Sequence, residues 1–416
     1  MRVLVYPHTL EIGGSQLNAI ELAAGVRDLG HEVAVFGRPG DLLERIGQLG
    51  LEFIEAPPQG KRPSLPTAAA LTRLARERGF DVFHGYEWPP ILDSVLASHR
   101  CGAATVGTVM SMSVPPFIPS NTPLVVGTKE IEDAERHRSL VTTIEPPVDL
   151  SFNDIDADPG RQEFRSRYGL DDGKVAVVSV SRLAHELKLE GLLTAIEVIG
   201  DLAATLPVRL VVVGDGPARA EVEDAAARVN ARAGAGTIVL VGRLDDPRPA
   251  YAAADISIGM GGSALRALAY GKPLIVQGER GFWRTLTPET LDQFLWTGWY
   301  GIGEGSAHGA QTLAGELRPL LAQQERRASL GAFGLRTVRE RFSLTRASER
   351  QLELYERACA APRGWGNAGP ELAALARYTS YFVDKRVRRA IGRERTDDFN
   401  SRTVTARNRD KKGARR

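Results

Sequence analysis

Hydrophobic and polar positions along this chain fall into blocks whose period switches between two and about 3.6 residues. The run "RVLVYP" (residues 2–7) is a strand pattern, "SQLNAIELAAGVRDLG" places apolar residues at helical spacing, and "HEVAVFG" reads as the next strand. Gly30 stands where that helix should stop, because a residue without a Cβ accepts the left-handed turn that ends one. A less regular cycle runs through "LTRLARERGF" to "DVFHGY", then "GAATVGTVMS" and "TPLVVGT". Strands alternating with helical segments predict parallel strands joined by crossover helices, which is a doubly wound α/β unit.

Near Pro146 the texture changes. "EPPVDLSFNDIDADPGRQEFRSRYGLDDG" has paired prolines, many acids and little strand signal, as a connector should. The cycle then restarts with greater regularity: strands "KVAVVSVSRL", "VRLVVVGDGP", "GTIVLVGRL", "DISIGM" and "KPLIVQG" alternate with helices. These are continuous Val/Ile/Leu runs, so burial on both faces of a parallel sheet is expected. "RASERQLELYERA" is one further helix, and "APRGWGNAGP" then breaks the chain. The expected organisation is a Rossmann-like domain over 1–150, a linker over 151–172, a second over 173–345, a closing helix over 346–358 and a tail over 359–416. No solenoid-type repeat is present.

Composition narrows the class without changing this picture. A chain of 416 residues with 43% hydrophobic and 25% charged residues has ample material for two cores. Two isolated cysteines, Cys101 and Cys359, argue against a disulfide framework or a cysteine metal site and fit a reducing cytoplasm. The N-terminus reads as a first strand and not as a signal peptide, and no apolar run approaches the ~18 residues of a membrane span. The formal net charge of +2 conceals an asymmetry: residues 363–416 hold 15 Lys and Arg against 6 Asp and Glu, leaving 38 against 45 elsewhere. The body is acidic and the tail strongly basic.

The chemistry concentrates in a few glycine-rich turns. "GMGGSALRALAYGKPLIV" (residues 259–276) opens as nearly bare backbone, becomes a short helix and returns to a strand. Such a start leaves backbone N–H groups free and turns the positive end of the helix dipole outward, a natural seat for phosphate. Gly261, Gly262, Ser263 and Ala264 would supply it, at the carboxyl edge of the second sheet. The alternative is that these glycines only permit tight strand-to-helix packing.

With "GGSQLNAIELAAGVRDLGHEV" in the first half, and "SRLAHELKLEGLLTAI", "VVVGDGP", "VGRL" and "SALRALAYGKPLIV" in order in the second, the chain resembles the retaining GT-B glycosyltransferases of the family-4 type over roughly residues 1–358. The resemblance implies an α/β, GT-B architecture, two Rossmann-like domains facing a central cleft, here with a C-terminal helical extension. It implies hexose transfer from a nucleotide-sugar donor with retention of configuration, the donor being a substrate, with no metal and no separate cofactor. Arg182 and Lys188 would then hold the two phosphates as the leaving group gains charge. The family's lysine falls five residues after the arginine, where this chain has Leu187, so a one-residue insertion is expected. Arg243 and Leu244 would cradle the nucleotide base, and Gly13 and Gly14 would touch acceptor or donor phosphate.

The chain also departs from that family. Two glutamates separated by seven residues fall here at Ile258 and Arg266, the second being the position that binds ribose hydroxyls. A guanidinium has five donors and no acceptor, so Arg266 would have to meet phosphate or a nearby acid such as Glu279. A histidine expected after "AATVGTV" corresponds to Met110. A catalytically impaired GT-B partner or regulatory protein is therefore the alternative function; a sugar-nucleotide epimerase would need catalytic carboxylates that have no evident place. His8, His84 and His185 are weighed as loop stabilisers or cleft residues, and the "DID" at Asp154–Asp156 reads as accidental.

The acceptor, whether glycan, lipid or small molecule, leaves no decodable signature. In the tail, Leu372, Leu375, Thr379, Phe382, Val383, Val387 and Ile391 recur at helical spacing among Arg377, Lys385, Arg388 and Arg389. This is either a basic amphipathic helix for an anionic membrane surface or partner groove, or a helix packed on its own body. The expected location is cytoplasmic, with the tail opening peripheral attachment to the inner face of a membrane. Nucleic acid has charge in its favour but no motif.

Overall fold

In a computed structural model describing residues 1–58, 60, 62–361, 369–390 and 399, thirteen strands form two sheets. The first contains β1 (Arg2–Tyr6), β2 (Glu32–Gly37), β3 (Glu52–Glu55), β4 (Val82–Tyr86), β5 (Ala104–Val109), β6 (Leu124–Val126) and β7 (Val141–Thr143). All neighbours pair parallel, in the order β3-β2-β1-β4-β5-β6-β7. Along β1 the side chains alternate between two cores: Val3 and Val5 join one, Leu4 and Tyr6 the other. Each such fully buried aliphatic side chain contributes roughly 1.5–3 kcal/mol, so the sheet is held from both faces.

The second sheet contains β8 (Val175–Val180), β9 (Val208–Val213), β10 (Ile238–Gly242), β11 (Ile256–Gly259), β12 (Leu274–Gln277) and β13 (Trp283–Thr285), ordered β10-β9-β8-β11-β12-β13. Only β13 runs antiparallel among these pairs. Alternation recurs along β9, where Leu210 and Val212 enter one core and Val211 and Val213 another. The sheets belong to separate units, Met1–Pro147 with Leu344–Arg416, and Val148–Ser343. In both, the strand order reverses beside the first strand of the unit, so the loops after β1 and β4, and after β8 and β11, flank a topological switch point.

Two C-terminal helices complete the first unit. Helix Leu344–Ala360 lies against helix Gly14–Asp28 so closely that a Cβ on Gly25 would stand 2.0 Å from Ser348 Oγ. Its Tyr355 hydroxyl meets His84 Nδ1 at 2.6 Å, while His84 Nε2 meets Thr108 Oγ1 at 2.7 Å. Burial holds the imidazole neutral, down at about 3, so His84 ties the helix to the sheet.

Helix Gly369–Ala390 rests on the same unit through rings. Phe117 lies 5.3 Å from Tyr378 and 5.1 Å from Tyr381, and Trp88 lies 6.3 Å from Phe382. Phe382 therefore leaves the apolar stripe to which its sequence spacing assigned it and points into the body; Ile391 lies outside the described residues. Among the described residues, no helix is long and apolar enough to cross a membrane.

Candidate functional site

The second switch point is built from three loops. Arg182 follows β8, the "GDGP" loop follows β9, and the turn at Gly261 follows β11. The first two interlock through backbone alone. A Cβ on Gly214, at φ +143, would stand 1.9 Å from the Ser181 carbonyl oxygen, and one on Gly216 would stand 2.4 Å from that of Leu183. Leu183 N–H donates to Asp215 O at 3.0 Å, and Ala218 N–H to Leu183 O at 2.9 Å. The glycines of "VVVGDGP" thus shape the segment that carries Arg182.

Arg182 is exposed, and its guanidinium makes no ion pair or hydrogen bond among the described residues. Five residues on, Leu187 takes φ 65, a local left-handed turn, and brings Lys188 to the N-cap of helix Leu189–Ala203. The Lys188 carbonyl accepts from Gln277 Nε2 at 3.1 Å. Its ammonium has no carboxylate partner among the described residues, and burial pushes it down to about 8. A cation held without a counter-ion beside a switch point suits an arriving anion. Lys272, also lowered to about 8 by burial, differs in having the Asp255 charge nearby.

The adjacent helix, Gly262–Ala269, begins from Gly261 at φ 55, a conformation that favours glycine. Gly261 N–H donates to Trp299 O at 3.0 Å, and Ala264 N–H to Gly261 O at 3.1 Å. Among the described residues the Gly262 and Ser263 amides of the first turn have no backbone acceptor and remain for a ligand, while Ser263 Oγ donates to Met260 O at 3.0 Å. Ala264 is fully buried beneath that turn.

Arg266 lies on the partly exposed side of this helix, close enough to Tyr251 for its charge to oppose the burial that raises the Tyr251 phenol to about 12. Glu279, the acid named as its potential partner, accepts from the Tyr300 hydroxyl. Ile258 is 3% exposed and belongs to the core beneath the sheet with Val177 and Leu192. The side chain at this position serves the core as packing. Arg243 and Leu244 leave β10, two strands from β8: Arg243 Nε stands 3.7 Å from Asp245, and Leu244 packs against the cluster of Val211 and Val213. His185 Nε2 meets Glu221 Oε1 at 3.0 Å in an exposed pair.

At the first switch point, Gly13 is the N-cap of helix Gly14–Asp28, and a Cβ there would collide with Gln16 Oε1 at 2.3 Å. Gln16 Nε2 in turn reaches His8 Nε2 at 3.2 Å and Thr9 Oγ1 at 3.0 Å. Sequence reasoning missed Glu87, which follows β4 at φ 67. Its carboxylate accepts from Met110 N–H at 3.0 Å, Ser111 Oγ at 2.8 Å and Ser15 Oγ at 3.4 Å, fastening the loops after β4 and β5 to the first turn of helix Gly14–Asp28. Burial raises its carboxyl pKa, opposed by those bonds. Nothing in "HGYEWP" marks the glutamate, because its donors come from residues distant in the chain. Met110 occupies the expected histidine position, with Asn18 Nδ2 directed at its sulfur at 3.6 Å.

Residues 13–128 match the glycosyl transferase 4-like domain, and residues 174–292 match the glycosyl transferases group 1 family. The chain belongs to the group 1 glycosyltransferases. A Streptococcus pneumoniae alpha-monoglucosyldiacylglycerol synthase is 30% identical over 125 residues, which is 28% of this chain and 27% of that protein. The match therefore spans about a quarter of that relative. Among solved structures, a Rickettsia africae glycosyltransferase superposes with TM-score 0.69 at 17% identity, covering 87% of this chain and 99% of its own. Anabaena HepE in complex with UDP gives TM-score 0.66 at 17% identity, over 86% and 100%. The fold of this group 1 glycosyltransferase is thus GT-B, with two parallel-sheet Rossmann-like domains and a C-terminal helical region.

Proposed function

We propose that this glycosyltransferase moves a hexose from a nucleotide-sugar donor to an acceptor with retention of configuration and without a metal. The observation that carries the reading is Lys188, a half-buried lysine whose ammonium lacks a carboxylate partner among the described residues, on the loop after β8 that also carries Arg182, while the Gly262 and Ser263 amides open the helix after the neighbouring strand β11. Two cations and a helix N-terminus at a switch point match a diphosphate in charge and in their place in the fold. They favour the transition state, since the leaving diphosphate gains negative charge as the glycosidic bond breaks. The donor phosphate itself would receive the acceptor proton, which reduces the need for a base at Met110. HepE structures with UDP and with UDP-glucose support a uridine donor as the first to test. The glucosylated diacylglycerol that the pneumococcal relative is named for making supports a lipid acceptor and, with the basic tail, peripheral attachment to the inner face of a membrane.

A second reading, a GT-B partner without transfer activity, is favoured by Ile258 being sealed in the core and by Arg266 where a ribose-binding carboxylate is expected. Thermal unfolding with UDP-, GDP- and dTDP-sugars, followed by nucleotide release on adding lipid or glycan acceptors, separates the readings. A stabilising donor with turnover supports transfer, because a ligand bound only to the native state raises stability. A stabilising donor without turnover supports the partner role. No stabilisation by any donor refutes the phosphate site.

A further inference from the structure

Helix Gly369–Ala390 has two unlike faces. Ala374, Tyr378, Tyr381 and Phe382 turn inward, Tyr378 O–H donates to the Arg62 carbonyl, and Asn121 Nδ2 donates to Glu371 at 2.8 Å. These contacts set the roll of the helix about its axis. They leave Leu372, Leu375, Val383 and Val387 outward, exposed by 66, 60, 57 and 53%. Together with Ala376, Thr379, Ser380 and Asp384 they line one continuous face, aliphatic except for two hydroxyls and the Asp384 carboxylate that Arg388 pairs. At 1.5 Å rise per residue, Leu372 to Val387 spans about 22 Å. Isolated exposed aliphatics need no explanation, but a preorganised row of them does.

The charge around the stripe identifies the occupant. Lys385, Arg386, Arg388 and Arg389 crowd the last two turns, whereas the helix carries only Glu371, held by Asn121, and Asp384, paired with Arg388 at 2.9 Å. Residues 391–416 add nine Lys and Arg against four Asp and Glu. A second copy would bring the same positive excess to a shared interface. An anionic lipid leaflet neutralises that excess and takes the aliphatic row into its acyl boundary. We propose that the outward face of helix Gly369–Ala390 is a docking surface for an anionic bilayer. The helix would lie in the interface plane, held to the first unit by its aromatic face. This deepens the membrane part of the proposed function and stands whether or not sugar transfer occurs.

The test is sedimentation of the full chain with vesicles of phosphatidylcholine alone or mixed with phosphatidylglycerol. The expected result is binding at least about tenfold tighter to the anionic vesicles, weakened by salt as the basic contribution is screened. The protein with Leu372→Ser, Leu375→Ser, Val383→Ser and Val387→Ser should keep its thermal unfolding and any response to UDP, yet lose the vesicles. If that protein unfolds, the single substitution Val383→Asp replaces it. Equal partitioning to both vesicle types, or full binding by a folded variant, overturns the proposal. So does a wild-type dimer abolished by the substitutions in the absence of vesicle binding, which would assign the stripe to a second copy. Loss of the UDP response alone would instead count against the donor site, since vesicle binding is read independently.

Discussion

Lys188 offers a prediction in which the structure supplies the magnitude. Its ammonium, lowered to about 8 by burial, is about nine-tenths protonated at pH 7 and about one-tenth protonated at pH 9. A diphosphate placed against it favours the charged form and restores the pKa toward that of an ordinary lysine. Binding therefore takes up a proton once the pH passes about 8, and UDP affinity should fall about tenfold between pH 7 and pH 9, or about 1.4 kcal/mol. Titration calorimetry across this range measures the affinity, and repeating it in buffers of different ionisation heat measures the proton. The Lys188→Arg protein provides the control, because a guanidinium stays charged and the ligand's own ionisations are unchanged. The same desolvation makes the charged lysine a cost to the empty protein. With a folded pKa below the unfolded value of 10.5, stability grows as pH rises from about 8 toward 10.5. Lys188→Met should accordingly stabilise the unliganded protein at pH 7, by up to about 3 kcal/mol, while weakening UDP binding. Parallel pH profiles for wild type and Lys188→Arg, or a destabilised Lys188→Met protein, would refute the assignment of a half-buried, anion-seeking cation.

Three other outcomes follow from the same geometry. Gly214→Ala places a methyl 1.9 Å from the Ser181 carbonyl at φ +143, so it should cost on the order of 2–4 kcal/mol in urea unfolding and displace the Arg182 segment, with loss of UDP binding; a wild-type midpoint contradicts the interlock. Arg266→Glu should change the UDP dissociation constant by about tenfold or more, as a charge reversal of about 1.4 kcal/mol at a helix flanking the phosphate seat; an unchanged constant removes Arg266 from the site. His84, held at about 3 in the fold against 6.5 unfolded, binds its proton only in the unfolded chain over that window, so stability should fall as pH drops from 6.5 toward 3, by up to about 5 kcal/mol. Comparison with His84→Gln by urea titration at several pH values isolates this contribution, and identical slopes for both proteins exclude it.

The alternation of buried runs with helical segments, and the order of the glycine turns, were legible along the chain because each depends on a short window of neighbouring residues. A continuous Val/Ile/Leu run such as β9 declares burial on both faces locally, and "VVVGDGP" declares a tight turn. Which turns become neighbours is another matter. Arg182 and Gly261 flank one switch point only because β8 pairs with β11, a choice made by the packing of whole strands. Glu87 collects donors from Ser15, Met110 and Ser111, and His84 meets a tyrosine 271 positions away, so neither leaves a local trace. The C-terminal helix shows the division within a single element. Its apolar spacing was visible in the residues, but only the rings of Trp88 and Phe117 selected Tyr378, Tyr381 and Phe382 as the inward face and left the leucines and valines outside. Periodicity states that a helix has an apolar side; the surface it lands on decides which side is covered, because burial energy is a property of two surfaces together.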